Sequence, residues 1–158
     1  MEKSGGCAMY IGEYHHSIDE KKRLIIPSKF RETLGNNFII TRGIENCLFV
    51  YPIDSWEKIC EKLNSLPFTK KDARTFNRFF LSGATNVELD KQGRVNIPDP
   101  LIQYANIEKE CVIIGSGDRL EIWAQKSWNS FFDSTKDNMS DIAENLFNES
   151  VNLWRKNI

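Results

Sequence analysis

Two stretches of this sequence carry a carboxylate and a guanidinium at the same spacing. They are Asp19-Glu-Lys-Lys-Arg23, followed by Leu-Ile-Ile-Pro27, and Asp90-Lys-Gln-Gly-Arg94, followed by Val-Asn-Ile-Pro98. An Asp and an Arg on either side of a polar turn can pair across it. An exposed pair of that kind contributes about 0–1 kcal/mol, so the plain reading is a turn clip. The same geometry has a chemical use. A carboxylate fixes the direction of a guanidinium, and a guanidinium so aimed can donate twice to a rigid acceptor pair. The O6 and N7 of guanine are such a pair, worth about 1–3 kcal/mol of discrimination. A two-stranded ribbon also has the dimensions to enter a DNA major groove.

Bases cluster around the first motif. Lys21, Lys22, Arg23, Lys29 and Arg31 fall in an acid-free stretch, and Lys70, Lys71, Arg74 and Arg78 form a second group opposed only by Asp72. Such clusters neutralise phosphates and make binding salt-sensitive. For either cluster taken alone, a solvated face is the better reading. The whole chain has 21 Lys plus Arg against 22 Asp plus Glu, a net charge of −1. That excludes a grossly basic, histone-like protein and leaves local charge to decide.

Other chemistry is poorly supported. His15-His16 stands near Glu13, but side chains alternate along a strand, so the two rings point opposite ways. No nucleophile elbow, Walker A loop or Gly-x-Gly-x-x-Gly occurs, and we expect no enzyme, small-molecule substrate or cofactor. The cysteines Cys7, Cys47, Cys60 and Cys111 form no Cys-x-x-Cys pair. No metal site is expected, and the thiols read as reduced. Apolar runs are only a few residues long, too short to span a membrane. The expected address is the cytoplasm.

The motifs belong to a longer repeat. Asp, Arg, Ile and Pro recur from 19, 23, 26 and 27 to 90, 94, 97 and 98; Leu48-Phe-Val-Tyr51 then faces Leu120-Glu-Ile-Trp123, and Ser55-Trp56 faces Ser127-Trp128. The first unit reads as strands at 14–18 and 23–26 forming a hairpin, a short helix capped by Ser28 and ending at Gly35, and strands at 38–41 and 47–51 around a turn at 43–46. A helix follows with a capping-box-like start at Asp54-Ser-Trp-Glu57. The second unit repeats this plan, with Asp99 as a cap and Pro100 at the first helical position. Thr69 to Ser82 reads as a connecting helix capped by Thr69, with an apolar face of Ala73, Phe76, Phe79 and Phe80. Met139, Ile142, Ala143, Leu146, Phe147 and Val151 have helical spacing and predict an amphipathic tail that docks on the body or a partner. Residues 1–8 read as a disordered extension.

Several blocks carry a resemblance. Met9-Tyr-Ile-Gly-Glu-Tyr-His-His16, Asp19 to Pro27, Leu66-Pro-Phe-Thr-Lys-Lys-Asp-Ala-Arg74, Phe79-Phe-Leu-Ser-Gly-Ala84 and Asp90 to Arg94 resemble the MraZ family of bacterial transcription regulators, from Met9 to about residue 147. The resemblance implies an α+β fold of two tandem, swapped-hairpin SpoVT/AbrB-like ββαββα units. These form one pseudo-two-fold β-barrel with flanking helices. The expected divisions are 9–65 and 85–132 for the units, 66–84 for the linking helix and 133–158 for the tail. It further implies a ring-shaped homo-oligomer, associated with the nucleoid. The implied partner is double-stranded promoter DNA with short G-containing direct repeats upstream of the division and cell-wall gene cluster, usually repressed. Arg23 and Arg94 carry over as DNA contacts, Asp19 and Asp90 as their orienters, and Lys21, Lys22, Lys29, Arg31 and Lys91 as backbone contacts.

Three positions depart from the family pattern. Lys22 stands where Gly usually precedes the Arg, so either the first turn differs in shape or Lys22 adds a phosphate contact. Asn96 replaces a usual apolar residue, and Ile102 a usual basic one. Two rival readings stand beside DNA binding. One is a ring-forming module that acts through a protein partner. The other is an AbrB-type antitoxin, against which the duplication argues. Because the histidines lack a catalytic setting, His15→Ala is expected to leave DNA affinity within a few-fold. A binding titration of the folded variant checks this, and complete loss would contradict it.

Overall fold

The computed structural model describes residues 9–148; the expected extension at 1–8 and the end of the tail, including Val151, lie outside them. The first unit comprises β1 (Tyr10–Ser17), β2 (Arg23–Ile25), α1 (Ser28–Leu34), β3 (Asn37–Arg42), β4 (Leu48–Pro52) and α2 (Ile53–Asn64). After α3 (Lys71–Ser82), the second comprises β5 (Thr85–Glu88), β6 (Arg94–Asn96), α4 (Asp99–Tyr104), β7 (Glu110–Gly117), β8 (Leu120–Ala124) and α5 (Gln125–Thr135). The repeated ββαββα order is thus present in an α+β fold. A 3₁₀ turn (Lys136–Asn138) and α6 (Met139–Asn148) follow.

The two units complete each other. A six-stranded antiparallel sheet has the order β1-β7-β8-β4-β3-β5, and β2 and β6 form a separate two-stranded ribbon. β1 pairs with β7, with Tyr10 opposite Gly117 and Ser17 opposite Glu110. β5 pairs with β3, with Val87 opposite Phe38. A pseudo-dyad relates these two exchanges, and the β4–β8 and β2–β6 pairs lie on it. The expected hairpin between β1 and β2 is therefore corrected. The turn at 19–22 closes locally, but each of its strands pairs with a strand of the other unit. Among the described residues the barrel is not closed by strand pairing. The sheet keeps two edges, β1 and β5, and the β2–β6 ribbon connects to both through the repeated turns.

Periodicity explains which face is buried. In the ribbon Leu24 and Val95 are fully buried opposite one another. Ile26 and Ile97 follow at equivalent positions, also at 0% exposure. They join Phe38, Ile40, Leu48, Val50, Ile113, Leu120 and Ile122 in one core. On the other face of the sheet an aromatic series runs from Tyr51 to Trp56 and Phe80, with Phe76 stacked on Phe80 at 5.3 Å between centroids. Thr41 Oγ1 donates to the Phe80 carbonyl at 2.6 Å, and Arg42 Nη1 to that of Phe79 at 2.7 Å. These bonds tie α3 to β3.

The expected side-chain caps are corrected too. Helices α1, α2 and α4 follow directly on Pro27, Pro52 and Pro98, and α3 on Lys70; none has a side-chain cap hydrogen bond. Proline fixes φ near the helical value, here −52°, −62° and −59°, so it stops a strand and launches a helix in one residue. Gly35 ends α1 as expected, at φ 85°.

Among the described residues, 126–148 belong to a compact body of their own. Within it Trp128 packs on Phe131 and Phe132, at 5.5 and 6.4 Å between centroids. In α6, Met139, Ile142, Leu146 and Phe147 are exposed.

Strand exchange demands close backbone approach at one point. A Cβ on Gly115 would collide with the backbone of Tyr10 and Ile11. Gly115→Ala is expected to destabilise the protein by about 1–3 kcal/mol, as overpacking does, measured by chemical denaturation against wild type.

Candidate nucleic-acid interface

Each repeated motif folds into the same small device. In the first turn Asp19 N donates to Arg23 O at 3.0 Å and Lys22 N to Asp19 O at 3.0 Å. In the second, Asp90 N donates to Arg94 O at 2.8 Å and Gly93 N to Asp90 O at 3.0 Å. The carboxylates organise the turns from inside. Asp19 Oδ1 accepts the N–H groups of Lys21 and Arg23, both at 2.9 Å. Asp90 Oδ1 accepts those of Gln92 and Arg94, also at 2.9 Å. Each Oδ2 then holds its arginine through Nε, at 2.7 Å for Arg23 and 2.8 Å for Arg94. The clip and the orienting role are thus one structure.

These bonds use Nε and spare the outer edge of each guanidinium. Among the described residues no hydrogen bond engages Arg23 Nη1 or Nη2, while Arg94 Nη2 donates to Gln92 Oε1 at 3.2 Å. Both arginines lie on the outward face of the ribbon. Arg23 sits opposite Asn96 and Ile25 opposite Arg94, with Leu24 and Val95 beneath. Arg23 and Arg94 are diagonal neighbours, about 7–8 Å apart by sheet geometry. Each is drawn toward its own turn, at opposite ends of the ribbon.

Backbone bonds lock the ribbon to both turns. Ile26 N donates to Gly93 O at 3.0 Å, and Ile97 N to Lys22 O at 2.9 Å. Lys22 and Gly93 occupy equivalent left-handed positions, at φ 63° and 77°. Lys22 therefore does not change the turn's shape. It holds a glycine-like conformation, at a backbone cost of about 1–2 kcal/mol.

The remaining expected site residues divide by place. Lys21 and Lys91 are exposed at the two turns, and Lys22 is half-buried. Lys29 and Arg31, on α1, line a depression of ≈ 300 Å³ with Tyr14, His16, Ile25, Pro27 and Ser28. They thus stand beside the ribbon's outer face. Arg31 is half-buried, and its Nε donates to the Ile26 carbonyl at 2.7 Å. Two further residues emerge from the structure. Asn96 Nδ2 donates to the Lys21 carbonyl at 2.8 Å, which accounts for a polar residue there. Ile25, its counterpart in the first unit, is 39% exposed on the same face. On α3, Arg74 Nη1 donates to the Phe68 carbonyl at 2.9 Å.

The histidines are built differently. His15 contacts Glu13 Oε2 at 2.8 Å through Nε2 and Gln125 Oε1 at 2.9 Å through Nδ1. The Glu13 bond, and then the Gln125 bond, raise its pKa. Burial lifts the thiols of Cys47 and Cys111 to about 12 and about 11, so both are protonated and unreactive at neutral pH. Among the described residues no three His, Cys, Asp or Glu are grouped to hold a metal ion, and no helix is long and apolar enough to cross a membrane.

The exchanged strands, repeated turns and shared ribbon define a duplicated α+β protein. The family model for the MraZ protein matches residues 9–79 and again residues 80–150. The chain belongs to the MraZ family and carries its domain twice.

The turn carboxylates give the site a pH signature. The Arg23 N–H foremost, and then its guanidinium and the Lys21 N–H, hold the Asp19 carboxyl below its ordinary value against some opposing desolvation. Asp90 is lowered in the same way by Arg94 and Gln92. A lowered folded pKa means stability that is present above the unfolded value, about 3.9, and lost as pH falls through the folded one. Thermal midpoints are expected to fall with pH below about 4 less steeply in Asp19→Asn/Asp90→Asn than in wild type. Parallel curves would contradict the assignment.

Proposed function

We propose that this protein is a sequence-specific DNA-binding transcriptional regulator whose reading head is the β2–β6 ribbon. One observation carries the reading. The ribbon presents two outward arginines, each aimed by a carboxylate in its own turn, on a pseudo-two-fold scaffold. Arg23 and Arg94 contact guanine through their outer guanidinium edges. Asp19 and Asp90 hold those edges in direction. Lys21, Lys22, Lys29, Arg31 and Lys91 contact phosphates. The target is a set of short G-containing direct repeats upstream of the division and cell-wall gene cluster that includes the protein's own gene, and binding represses it. The protein acts in the cytoplasm, at the nucleoid.

A ring of protomers completes the proposal. One ribbon spans only a few base pairs, so it reads little sequence. Several ribbons on one ring edge engage tandem repeats together, and effective concentration raises avidity by roughly a hundredfold or more.

The test is a DNA titration at several salt concentrations. It uses the region upstream of the protein's own gene, a scrambled control, wild type and Arg23→Ala/Arg94→Ala, with folding and assembly matched. Wild type is expected to bind specifically and to weaken steeply with salt. The double variant is expected to lose specific binding. Binding that survives in it would move the site to another surface, with the Lys70–Arg78 segment next. No specific binding by assembled wild type would favour a module that acts through a protein partner.

A further inference from the structure

The two turns are equivalent in backbone and unequal in side chains, and the inequality is paired. At the position before the arginine, the first unit has Lys22 and the second Gly93. Four residues beyond the repeated proline, Pro27 or Pro98, the first has Arg31 and the second Ile102. The arginine reaches across the pseudo-dyad. A Cβ on Gly93 would collide with the Cζ, Nε and Nη1 atoms of the Arg31 guanidinium, which is anchored by its bond to the Ile26 carbonyl at 2.7 Å. The Ile26 N–H in turn donates to the Gly93 carbonyl. Arg31 of the first unit thus lies on the second unit's turn. Its counterpart Ile102 is buried at 7% exposure and carries no charge. Lys22, at the other turn, supplies a side chain of its own.

We propose that each turn, besides its exposed lysine (Lys21 in the first, Lys91 in the second), holds one further cation for a DNA phosphate, supplied by different elements: Lys22 from within the first turn, and Arg31 from α1 across the dyad onto the second. Glycine at 93 makes room for the borrowed arginine. Isoleucine at 102 leaves the cation at the first turn to Lys22. Arg31 is a contact of the second unit's reading end, although it belongs to the first unit's chain segment. The inference rests on the DNA-binding reading for the phosphate contact and stands independently of it for the steric pairing.

Two experiments separate these parts. Arg31→Gln puts an amide N–H where Arg31 Nε lies and removes the charge. With a duplex from upstream of the protein's own gene, Arg31→Gln is expected to lower the slope of log affinity against log salt by about one per engaged ribbon. Lys22→Gln is expected to do the same, the double variant to lose about two, and Arg31→Lys to restore the Arg31 contribution. An unchanged slope in Arg31→Gln, with wild type still binding, would overturn the assignment and leave the proposed function standing. Wild type that does not bind overturns the function and the phosphate role together. The steric pairing is read without DNA, from thermal midpoints. Gly93→Ala is expected to lower the midpoint less in an Arg31→Ile background than in wild type, because the guanidinium it strikes is gone. Equal falls would overturn the pairing.

Discussion

The structure depends on the exchange of strands between two halves that are each incomplete. β1 has no ladder partner in its own unit and takes β7; β5 has none and takes β3. The ribbon pairs one short strand from each half. A three-residue strand is too short to persist alone. It persists here because Leu24 and Val95 are buried beneath it and because the turns at both ends bond to the strand opposite. The outward surface of the ribbon is therefore a product of both units. Its register is fixed by the core below, since a slip of one residue would turn Leu24 and Val95 outward.

The Asp-Arg devices sit on that fixed base. Each carboxylate spends one oxygen on turn amides and the other on its arginine. A side chain with rotamer freedom of about 2 kcal/mol is thereby held near one direction before any partner arrives. Preorganisation of this kind reduces the ordering that binding would otherwise demand.

Local features of the sequence translate well into structure. The repeat, the element order, the Asp-Arg turns and the apolar positions of both ribbon strands all rest on contacts within a few residues, where spacing is informative. What spacing conceals is partner choice. A polar turn between two apolar strands predicts a hairpin, and nothing nearby reveals that both strands prefer the other unit. Thr69, Asp54 and Asp99 have the side chains of caps, yet α2 and α4 start directly from Pro52 and Pro98, and α3 from Lys70, with no side-chain cap bond. The sequence shows Asn96 only as a polar residue in a usually apolar place, because its acceptor, the Lys21 carbonyl, is remote in sequence. Of the two alternatives that Lys22 leaves open in the sequence, a different turn shape does not occur: the surrounding hydrogen bonds hold lysine in the left-handed conformation that glycine adopts easily.

An exactly duplicated ribbon would be indifferent to being turned end for end. This one is not. Its backbone obeys the dyad, but on the outward face one end shows the hydrocarbon of Ile25 and the other the amide of Asn96, itself tied to Lys21 O. The ribbon therefore has a head and a tail. Any linear partner that touches both ends meets apolar surface first in one orientation and a polar group first in the other. A symmetric architecture has in this way acquired polarity without giving up the pairing that builds it.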